Sequence, residues 1–338
     1  MLVEKKVRYI GDPVAAVAAD TEEIAEEALN KIEVEYEVLP VIDNIEKALA
    51  PGAPHVHEQG NLLQHTKLRK GNIEKGRAES YVTVKDRYTT QWVEHAYLEP
   101  ETTLAEVDIH GNLTVYTSTQ YAFRDRRQIA AALGIDVSKV RVIQAVTGGG
   151  FGAKDDMNGE VHASLLALAT KRPVKFVYTR EESFKTSYKR HRFLVECETG
   201  ITRNGKLTFM EASVYGDTGP YAALGMFVVK KAGIHLAGPY EIPNIKVDTY
   251  TVYTNNCLSG SFRGFGVPEA AFIHESQMDQ LATKIGISPF EIRKLNCFQV
   301  GSLTATSQKL EHSIGIGATI SKIEEVYENW LQERGEKV

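Results

Sequence analysis

Glycine is concentrated in Thr147-Gly148-Gly149-Gly150-Phe151-Gly152-Ala153-Lys154-Asp155. The stretch follows an apolar run, Val142 to Val146, that is typical of a β-strand, and a helical pattern comes after it. Glycine adopts positive φ angles and lets the backbone approach a ligand without a Cβ, and the N–H groups that begin a helix attract anions. The stretch therefore predicts a phosphate-binding loop. The alternative is a tight glycine turn without a ligand.

The stretch differs from one common phosphate-binding loop and meets the pattern of another. A P-loop requires Ser or Thr after Gly-Lys, whereas Ala153-Lys154 is followed by Asp155. The Rossmann pattern Gly-x-Gly-x-x-Gly/Ala is met by Gly148, Gly150 and Ala153, and Glu181 or Glu182 would then bind the ribose. An NAD-dependent dehydrogenase consequently stays open as an alternative.

The composition narrows the class of protein. The 338 residues are 43% hydrophobic, which is enough for two or three domains with cores, and the formal net charge is −5. An acidic balance argues against a nucleic-acid partner. There is no apolar run long enough to span a membrane, and the first residues are charged rather than typical of a signal peptide, so we expect a cytoplasmic protein.

Cysteine usage bears on redox chemistry. The three cysteines, Cys197, Cys257 and Cys297, are far apart and form no Cys-x-x-Cys pair. An iron–sulfur cluster needs about four thiolates. If the protein does redox chemistry, electrons must leave through a partner.

The sequence pattern predicts an α+β protein in four parts. Residues 1–54 read as a small β-α-β domain, with strands at Val7–Ile10, Val14–Ala19 and Val34–Val38 and a helix capped by Asp20. Residues 55–82 are rich in turn residues and read as a linker, whose histidines are expected at the surface rather than on a metal.

The larger part is an α+β domain over residues 83–318, followed by a charged amphipathic helix over 319–338. Alternating and helical apolar patterns predict strands at Leu104–Val107, Leu113–Tyr116, Arg141–Val146, Val174–Tyr178, Phe193–Cys197 and Phe209–Tyr215 and helices at Arg124–Leu133, Val161–Thr170, Ala271–Ile285, Phe290–Leu295 and Ile320–Glu336. Residues 216–225 read as a loop.

A second glycine motif, Ser261-Phe262-Arg263-Gly264-Phe265-Gly266, lies far downstream. Together with the first, it resembles the molybdenum-binding subunit of the xanthine dehydrogenase/aldehyde oxidoreductase family, the molybdenum hydroxylases. The resemblance extends to Glu94–Pro100, Ser118–Gln120 and Arg190-His191. It implies part of a hammerhead-like domain, expected to be incomplete, and then the family's first molybdopterin-binding domain.

The resemblance implies a molybdenum-pterin cofactor, either alone or as its cytosine dinucleotide. The enzyme would insert a water-derived oxygen at a carbon beside a ring nitrogen, or into an aldehyde, and electrons would leave through Fe–S and flavin (FAD) subunits. The cofactor carries the difficult chemistry. The residues expected to bind it are Gln120, Gly150, Phe151, Gly152 and Arg263, with none bound directly to the metal.

Three further residues are expected to face the substrate. Asp155 and Arg190 match a carboxylate and an arginine of the purine-oxidising members, and Phe265 would contact a flat ring. Aspartate is shorter than the family's glutamate, so we expect a purine-like or other nitrogen heteroaromatic rather than xanthine itself. Aldehyde oxidation is the alternative. The second motif holds no cysteine, which argues against the carbon monoxide branch.

The resemblance places the general base on a second molybdenum domain, and no acid of this chain matches it. We therefore expect no catalytic residue here. The base would come from a partner subunit or from a missing C-terminal half, and the chain alone is expected to be inactive. A non-enzymatic scaffold with glycine turns is the remaining alternative.

Overall fold

The computed structural model describes residues 2–335. Its strands are β1 (Leu62–Lys70), β2 (Val82–Thr89), β3 (Thr102–Val107), β4 (Leu113–Thr117), β5 (Val140–Gln144), β6 (Val174–Val177), β7 (Arg192–Ile201), β8 (Leu207–Gly219) and β9 (Asn244–Tyr253). Its α-helices are α1 (Glu22–Leu29), α2 (Ile45–Leu49), α3 (Ile73–Ala78), α4 (Ala122–Leu133), α5 (Glu160–Thr170), α6 (Arg180–Thr186), α7 (Gly225–His235), α8 (Val267–Ile285), α9 (Pro289–Asn296) and α10 (Ile316–Glu333).

The larger sheet has five strands in the order β1-β9-β8-β7-β2. Strands β7 and β8 are antiparallel, whereas β8 and β9 are parallel and are joined through α7. Because β8 is buried along most of its length, apolar side chains occupy much of it, and they share a core with α7 and α8. Phe193, Met210, Val229, Ile245 and Ile273 are fully buried members of this core.

The smaller sheet has four strands in the order β5-β4-β3-β6 and packs on α4 and α5. Its core contains Leu113, Val115, Ile129 and Ala163, and the apolar spacing along α4 directs Ile129 into it. Strands β4 and β5 are parallel, so their carboxyl ends meet at the same edge. That edge places the segment after β4 beside the glycine stretch after β5.

The first forty residues differ from the prediction. Among residues 2–335 no strand precedes Leu62, so the three segments predicted as strands form no ladder, and Tyr9 and Ile10 lie in a bend and a turn. An alternating sequence forms a strand only where a neighbouring strand supplies its hydrogen-bond partners. The helix is present, but Thr21 rather than Asp20 caps it, since the Thr21 hydroxyl accepts the Ile24 N–H.

The prediction of a linker over 55–82 is wrong for the middle and the end of this range, which form regular secondary structure. Strand β1 pairs antiparallel with β9, and α3 follows it. The polar side chains of β1 concealed the strand, because it lies at the edge of the sheet where polar residues are tolerated. His65 lies there as a sheet residue with its Nε2 2.7 Å from Asp248 Oδ1. Among residues 2–335 no group of three or more metal-binding side chains is arranged around a common point.

Other helix and strand boundaries also differ from the prediction. The loop predicted over 216–225 is partly strand, because β8 continues to Gly219, and both β9 and α7 were missed. The C-terminal helix α10 is present and begins at Ile316; Glu336, its predicted last residue, lies outside the described residues. No helix within residues 2–335 combines the length and the apolar character needed to cross a membrane.

The turn between β1 and α3 gives a test of the corrected fold. Gly71 has φ +65°, and a Cβ there would lie 2.4 Å from the Pro243 carbonyl oxygen. We predict that Gly71→Ala lowers the free energy of unfolding by about 3 kcal/mol, because backbone strain and a clash add. Gly111→Ala, at φ +79° with nothing within 4 Å of its Cβ, should cost only about 1 kcal/mol. Urea unfolding measures both, and equal losses would contradict the packing of this turn.

Candidate cofactor-binding site

The first glycine loop, Gly148–Lys154, is held in place by the buried ammonium group of Lys154. Lys154 is 3% exposed, and its Nζ donates to the Glu99 carbonyl (3.0 Å), to Glu99 Oε1 (3.1 Å) and to Ser118 Oγ (3.0 Å). Glu99 in turn accepts the Gly148 N–H at 2.5 Å. Burial raises the pKa of Glu99, but hydrogen bonds from Ser118, Gly148 and Lys154 outweigh it, so that its net pKa is lowered.

The outer part of this loop carries free hydrogen-bond donors. Within residues 2–335, the N–H groups of Gly149, Gly150 and Phe151 donate to no protein acceptor. Gly149 and Gly152 have φ angles of +100° and +107°, and Phe151, which is half-exposed, has φ +52°. A non-glycine residue at positive φ is strained, and such strain is common at ligand sites. The loop thus presents consecutive donors suited to an oxygen-rich anionic group.

Gln120 lies against this loop. Its side-chain Oε1 accepts the Gly152 N–H at 2.9 Å, and its backbone N–H donates to the Lys154 carbonyl at 2.9 Å. Because the Gly152 N–H requires an acceptor, the amide oxygen must face the loop and the amide NH₂ must face outward. Gln120 is therefore oriented to donate a hydrogen bond to a ligand.

The second glycine loop, Ser261–Gly266, packs directly on the first. The Arg263 N–H donates to the Phe151 carbonyl at 2.9 Å. A Cβ on Gly152 would lie 2.8 Å from the Ser261 carbonyl oxygen, so only glycine permits this approach. The Arg263 side chain is exposed, and its guanidinium has no hydrogen bond or ion pair within residues 2–335. The structure brings together Gln120, Gly150, Phe151, Gly152 and Arg263 at one edge of the smaller sheet.

The motif Glu94–Pro100 supports the second loop from behind. His95 Nε2 lies 2.9 Å from the Ser261 carbonyl, and its ring stacks on Phe262 with centroids 4.1 Å apart. Burial lowers the pKa of His95 to about 4, so the ring is neutral and its Nε2–H donates to that carbonyl. The Phe262 contacts were missed in the sequence, because an aromatic residue in a glycine loop gives no signal of its partner.

The two polar residues expected to face the substrate are not in contact with each other. Asp155 is half-buried; burial raises its pKa, and the Ser261 hydroxyl and the Arg124 charge oppose the shift. The Arg190 Nε instead lies 3.2 Å from Glu269 Oε1. No hydrogen bond or ion pair joins Asp155 to Arg190 in the part of the chain that the structure describes.

Phe265, which was expected to contact a flat substrate ring, lies at the second loop next to the core of the larger sheet. It has φ +54° and packs partly buried against the core of the larger sheet. The Lys231 Nζ, on α7, lies 5.5 Å from the centre of its ring. Lys231 has no ion-pair partner among residues 2–335, so it is a free cation beside the second loop that sequence patterns did not indicate.

These residues fit an anionic pterin cofactor. The donors available are consecutive backbone N–H groups, an outward amide and an unpaired guanidinium, and there is no Cβ in the first loop at the points of closest approach. Backbone donors and arginine are the groups that bind phosphate and oxo ligands.

The dinucleotide-binding alternative does not agree with the fold. A Rossmann loop leads straight into a helix, whereas Ala153–Asp155 forms one 3₁₀ turn and α5 begins only at Glu160. Strands β5 and β6, which flank α5, lie at opposite edges of a mixed sheet rather than side by side in a parallel one.

Comparison with known families identifies the domains of this chain. The molybdopterin cofactor-binding domain family matches residues 55–297. Residues 1–40 match the a/b hammerhead domain of aldehyde oxidase and xanthine dehydrogenase. The predicted combination of a hammerhead fragment and a molybdopterin-binding domain is confirmed, although the fragment forms no strand ladder among the described residues.

Individual relatives extend over nearly the whole chain. This chain is 44% identical over 324 residues to the nicotinate dehydrogenase large molybdopterin subunit of Eubacterium barkeri. The aligned region covers 96% of this chain and 76% of that subunit. The chain is 34% identical over 336 residues to the xanthine dehydrogenase molybdenum-binding subunit of Escherichia coli O157:H7, which covers 99% of this chain and 44% of that subunit.

A solved structure shows the same fold. The aldehyde oxidoreductase of Desulfovibrio desulfuricans superposes with a TM-score of 0.94 at 29% identity, covering 98% of this chain and 37% of that one. This chain therefore belongs to the xanthine dehydrogenase/aldehyde oxidoreductase family and contains its molybdopterin cofactor-binding domain. It spans less than half of the Escherichia coli and Desulfovibrio relatives.

Buried acids next to the site make stability depend on pH. Asp125, on α4, is 1% exposed. Burial raises its pKa to about 7; a hydrogen bond from Thr119 opposes the shift, and the Glu160 charge adds to it. In the unfolded chain the pKa is about 3.9. The cost of burying the carboxyl group is therefore absent below about pH 4 and complete above about pH 7.

We predict that Asp125→Asn stabilises the chain, and that the gain grows from near zero at pH 4 to about 2–4 kcal/mol at pH 8. Urea unfolding across this range measures the gain. Asp20→Asn, which removes an exposed partner of Arg172, should change stability by less than about 0.5 kcal/mol at either pH. A gain that is the same at pH 4 and pH 8 would show that Asp125 is not buried as a titrating acid.

Proposed function

We propose that this chain supplies one wall of the cofactor site of a molybdenum hydroxylase that oxidises a C–H bond beside the ring nitrogen of a heteroaromatic substrate. The observation that carries the proposal is the junction of the two glycine loops, where free backbone donors and the Gln120 amide lie next to Arg263, whose backbone N–H is bonded to Phe151. The oxygen would come from water. The enzyme would work in the cytoplasm.

The bound molybdenum-pterin cofactor, alone or as its cytosine dinucleotide, would supply the two-electron oxidation. The chain's own residues hold and orient it. The N–H groups of Gly150 and Phe151 donate toward it, and the absence of a Cβ at Gly152 lets the two loops meet close behind it. Gln120 donates from its outward amide, and Arg263 places a permanent positive charge beside an anionic group.

The substrate class rests on the relatives and on the polar residues beside the loops. The relatives named above are a nicotinate dehydrogenase subunit and a xanthine dehydrogenase subunit, and both of those substrates contain ring nitrogens. Asp155 is half-buried, and burial raises its pKa, so it can exchange a hydrogen bond with a ring nitrogen or a ring substituent. Asp155 and the partly exposed Phe265 remain our proposed substrate-side residues. Arg190 was expected beside them, but its contacts within this chain support a different role, which is developed below.

The rest of the site would come from a second molybdenum-domain polypeptide, either a separate subunit or a further part of the same chain. Apolar side chains surround the first loop and face outward, as the 91% exposed Leu98, the 81% exposed Phe123 and the 94% exposed Val146 show. Exposed apolar patches of this kind mark interaction surfaces. That polypeptide would cover the patch and carry the general base, and Fe–S and FAD subunits would take the electrons. The chain alone would then be inactive.

Aldehyde oxidation is the second candidate. The superposed Desulfovibrio structure is an aldehyde oxidoreductase, and its fold agrees closely with this chain. The polar surroundings of Asp155 favour the heteroaromatic substrate over it, since an aldehyde offers fewer hydrogen-bonding groups to orient.

The proposal is tested on the native complex that copurifies with this chain, by metal analysis, subunit masses and turnover. We expect molybdenum, iron and a second molybdenum-domain polypeptide, with turnover of nicotinate or purines exceeding that of aldehydes. Turnover of aldehydes alone would favour the second candidate. A complex that contains neither molybdenum nor pterin would instead support a scaffold.

A single side chain tests the proposed cradle. Arg263→Ala should lower the molybdenum content of the purified complex by about tenfold or more, because a charged donor to an anionic group is lost. Arg203→Ala is the matched control, since Arg203 is also exposed, lies over the Tyr81 ring at the opposite end of β7, and has no ion pair within residues 2–335. Equal molybdenum in the two variants would remove Arg263 from the site.

A further inference from the structure

The Arg190 guanidinium is engaged on three sides by this chain. Its Nε lies 3.2 Å from Glu269 Oε1, one NH₂ donates to the Arg263 carbonyl at 3.1 Å, and its plane lies 3.9 Å from the centre of the Phe262 ring. Arginine is suited to such simultaneous pairing and stacking. These contacts hold the group against the second glycine loop, and within residues 2–335 its Nη1 has no hydrogen-bond partner.

The backbone around Arg190 follows the same loop. The Lys189 N–H donates to the Leu258 carbonyl at 2.9 Å, and the Gly260 N–H donates back to the Lys189 carbonyl at 3.0 Å. Lys189 is itself buried, with its Nζ 2.6 Å from Glu94 Oε2. The segment therefore forms a short parallel pairing with the residues that lead into the second loop.

Glu269 depends on Arg190 for its charge compensation. It is 5% exposed, in the first turn of α8, and its Oε2 has no hydrogen-bond partner within residues 2–335. Burial raises the pKa of Glu269, and its own backbone N–H and the Arg190 charge oppose the shift. Removing one member of a buried ion pair leaves the other uncompensated, which is strongly unfavourable.

We propose that Arg190 and Glu269 form a brace that fixes the second glycine loop to the start of α8, so that Arg190 is a positioning residue for Arg263 rather than a ligand of the substrate. Within the brace, an Arg190 NH₂ group donates to the backbone carbonyl of Arg263. The backbone N–H of Arg263 donates to the Phe151 carbonyl. With both backbone groups of Arg263 held, its side chain leaves the loop in one direction. The benefit to cofactor binding rests on the proposed function, whereas the brace itself does not.

The brace is tested by amide hydrogen exchange on the 338-residue chain without cofactor or substrate. In Arg190→Ala and in Glu269→Ala, the N–H groups of Arg263 and Phe265 should exchange about tenfold faster or more, since charged hydrogen bonds that hold the loop are lost. The matched control is Arg87→Ala, which removes an Arg–Glu ion pair elsewhere, with Glu46. It should leave exchange in the second loop unchanged.

Conservative and double variants separate the brace from general loss of folding. Glu269→Gln keeps an oxygen acceptor and should retain most of the protection, and Arg190→Lys should lose part of it because an ammonium lacks the planar fork. The double variant Arg190→Ala/Glu269→Ala should exchange no more than about threefold faster than the worse single variant, because both changes remove one interaction. Circular dichroism checks that β-sheet content is kept.

A second experiment measures the molybdenum content and the KM of the native complex. The brace predicts that Arg190→Ala and Glu269→Ala lower molybdenum content together and leave the KM of the complex that still holds cofactor within about threefold of normal. A direct substrate contact predicts unchanged exchange and unchanged molybdenum with a KM raised about tenfold or more, and that result overturns the brace. If the wild-type complex holds no molybdenum, the proposed function fails, while the exchange result still decides the brace.

Discussion

The site depends on one close backbone contact, between Gly152 and the residues Ser261 and Phe262. A side chain at Gly152 would meet the Ser261 carbonyl and the Phe262 Cα, so the two loops pack at this distance only because glycine is present. Two other features follow from that contact. The Arg263 N–H reaches the Phe151 carbonyl, and the Gly152 N–H remains available to orient Gln120. Segments of two separate sheets therefore meet at a defined distance.

The charge beneath the first loop explains how strained backbone is held there. Burying the Lys154 ammonium costs several kcal/mol, and its attraction to Glu99 offsets this only if its other hydrogens find acceptors. The Glu99 carbonyl and the Ser118 hydroxyl supply them. Such a pair adds little net stability. It favours one arrangement of the loop, because other arrangements would leave the buried charge without a partner. The positive φ of Phe151 is tolerated within that arrangement.

The sequence indicated the parts of the site that are local. Both glycine motifs, Gln120 and the helices that flank them are short patterns whose physical meaning is contained in a few neighbouring residues. The strands of the smaller sheet and the helices packed on it were predicted for the same reason, although their order in the sheet was not. By contrast, β1 and β9 pair with each other across most of the chain, and polar β1 has no pattern that distinguishes an edge strand from a loop.

The roles of Arg190 and Phe265 show the same limit. Nothing near Arg190 in the sequence shows that Glu269 approaches its guanidinium, because the pair is created only when α8 packs against the segment before β7. Phe265 lies between glycines, which suggested contact with a flat ring, and nothing in the sequence showed that its side chain also packs against the core of the larger sheet. The residue types were informative, and their partners were set by tertiary structure.

The free donors of the first loop link cofactor binding to assembly. In this chain Gly150 is buried, Gly149 is partly buried and Phe151 is half-exposed, and their N–H groups donate to no acceptor within residues 2–335. A partner that covers the exposed apolar side chains nearby would bury the loop further, and each buried donor without an acceptor would cost about 1–3 kcal/mol. An anionic cofactor supplies the missing acceptors, so the complex is favoured when cofactor is present. In the proposed enzyme, the same N–H groups that hold the cofactor therefore disfavour an assembled but empty site.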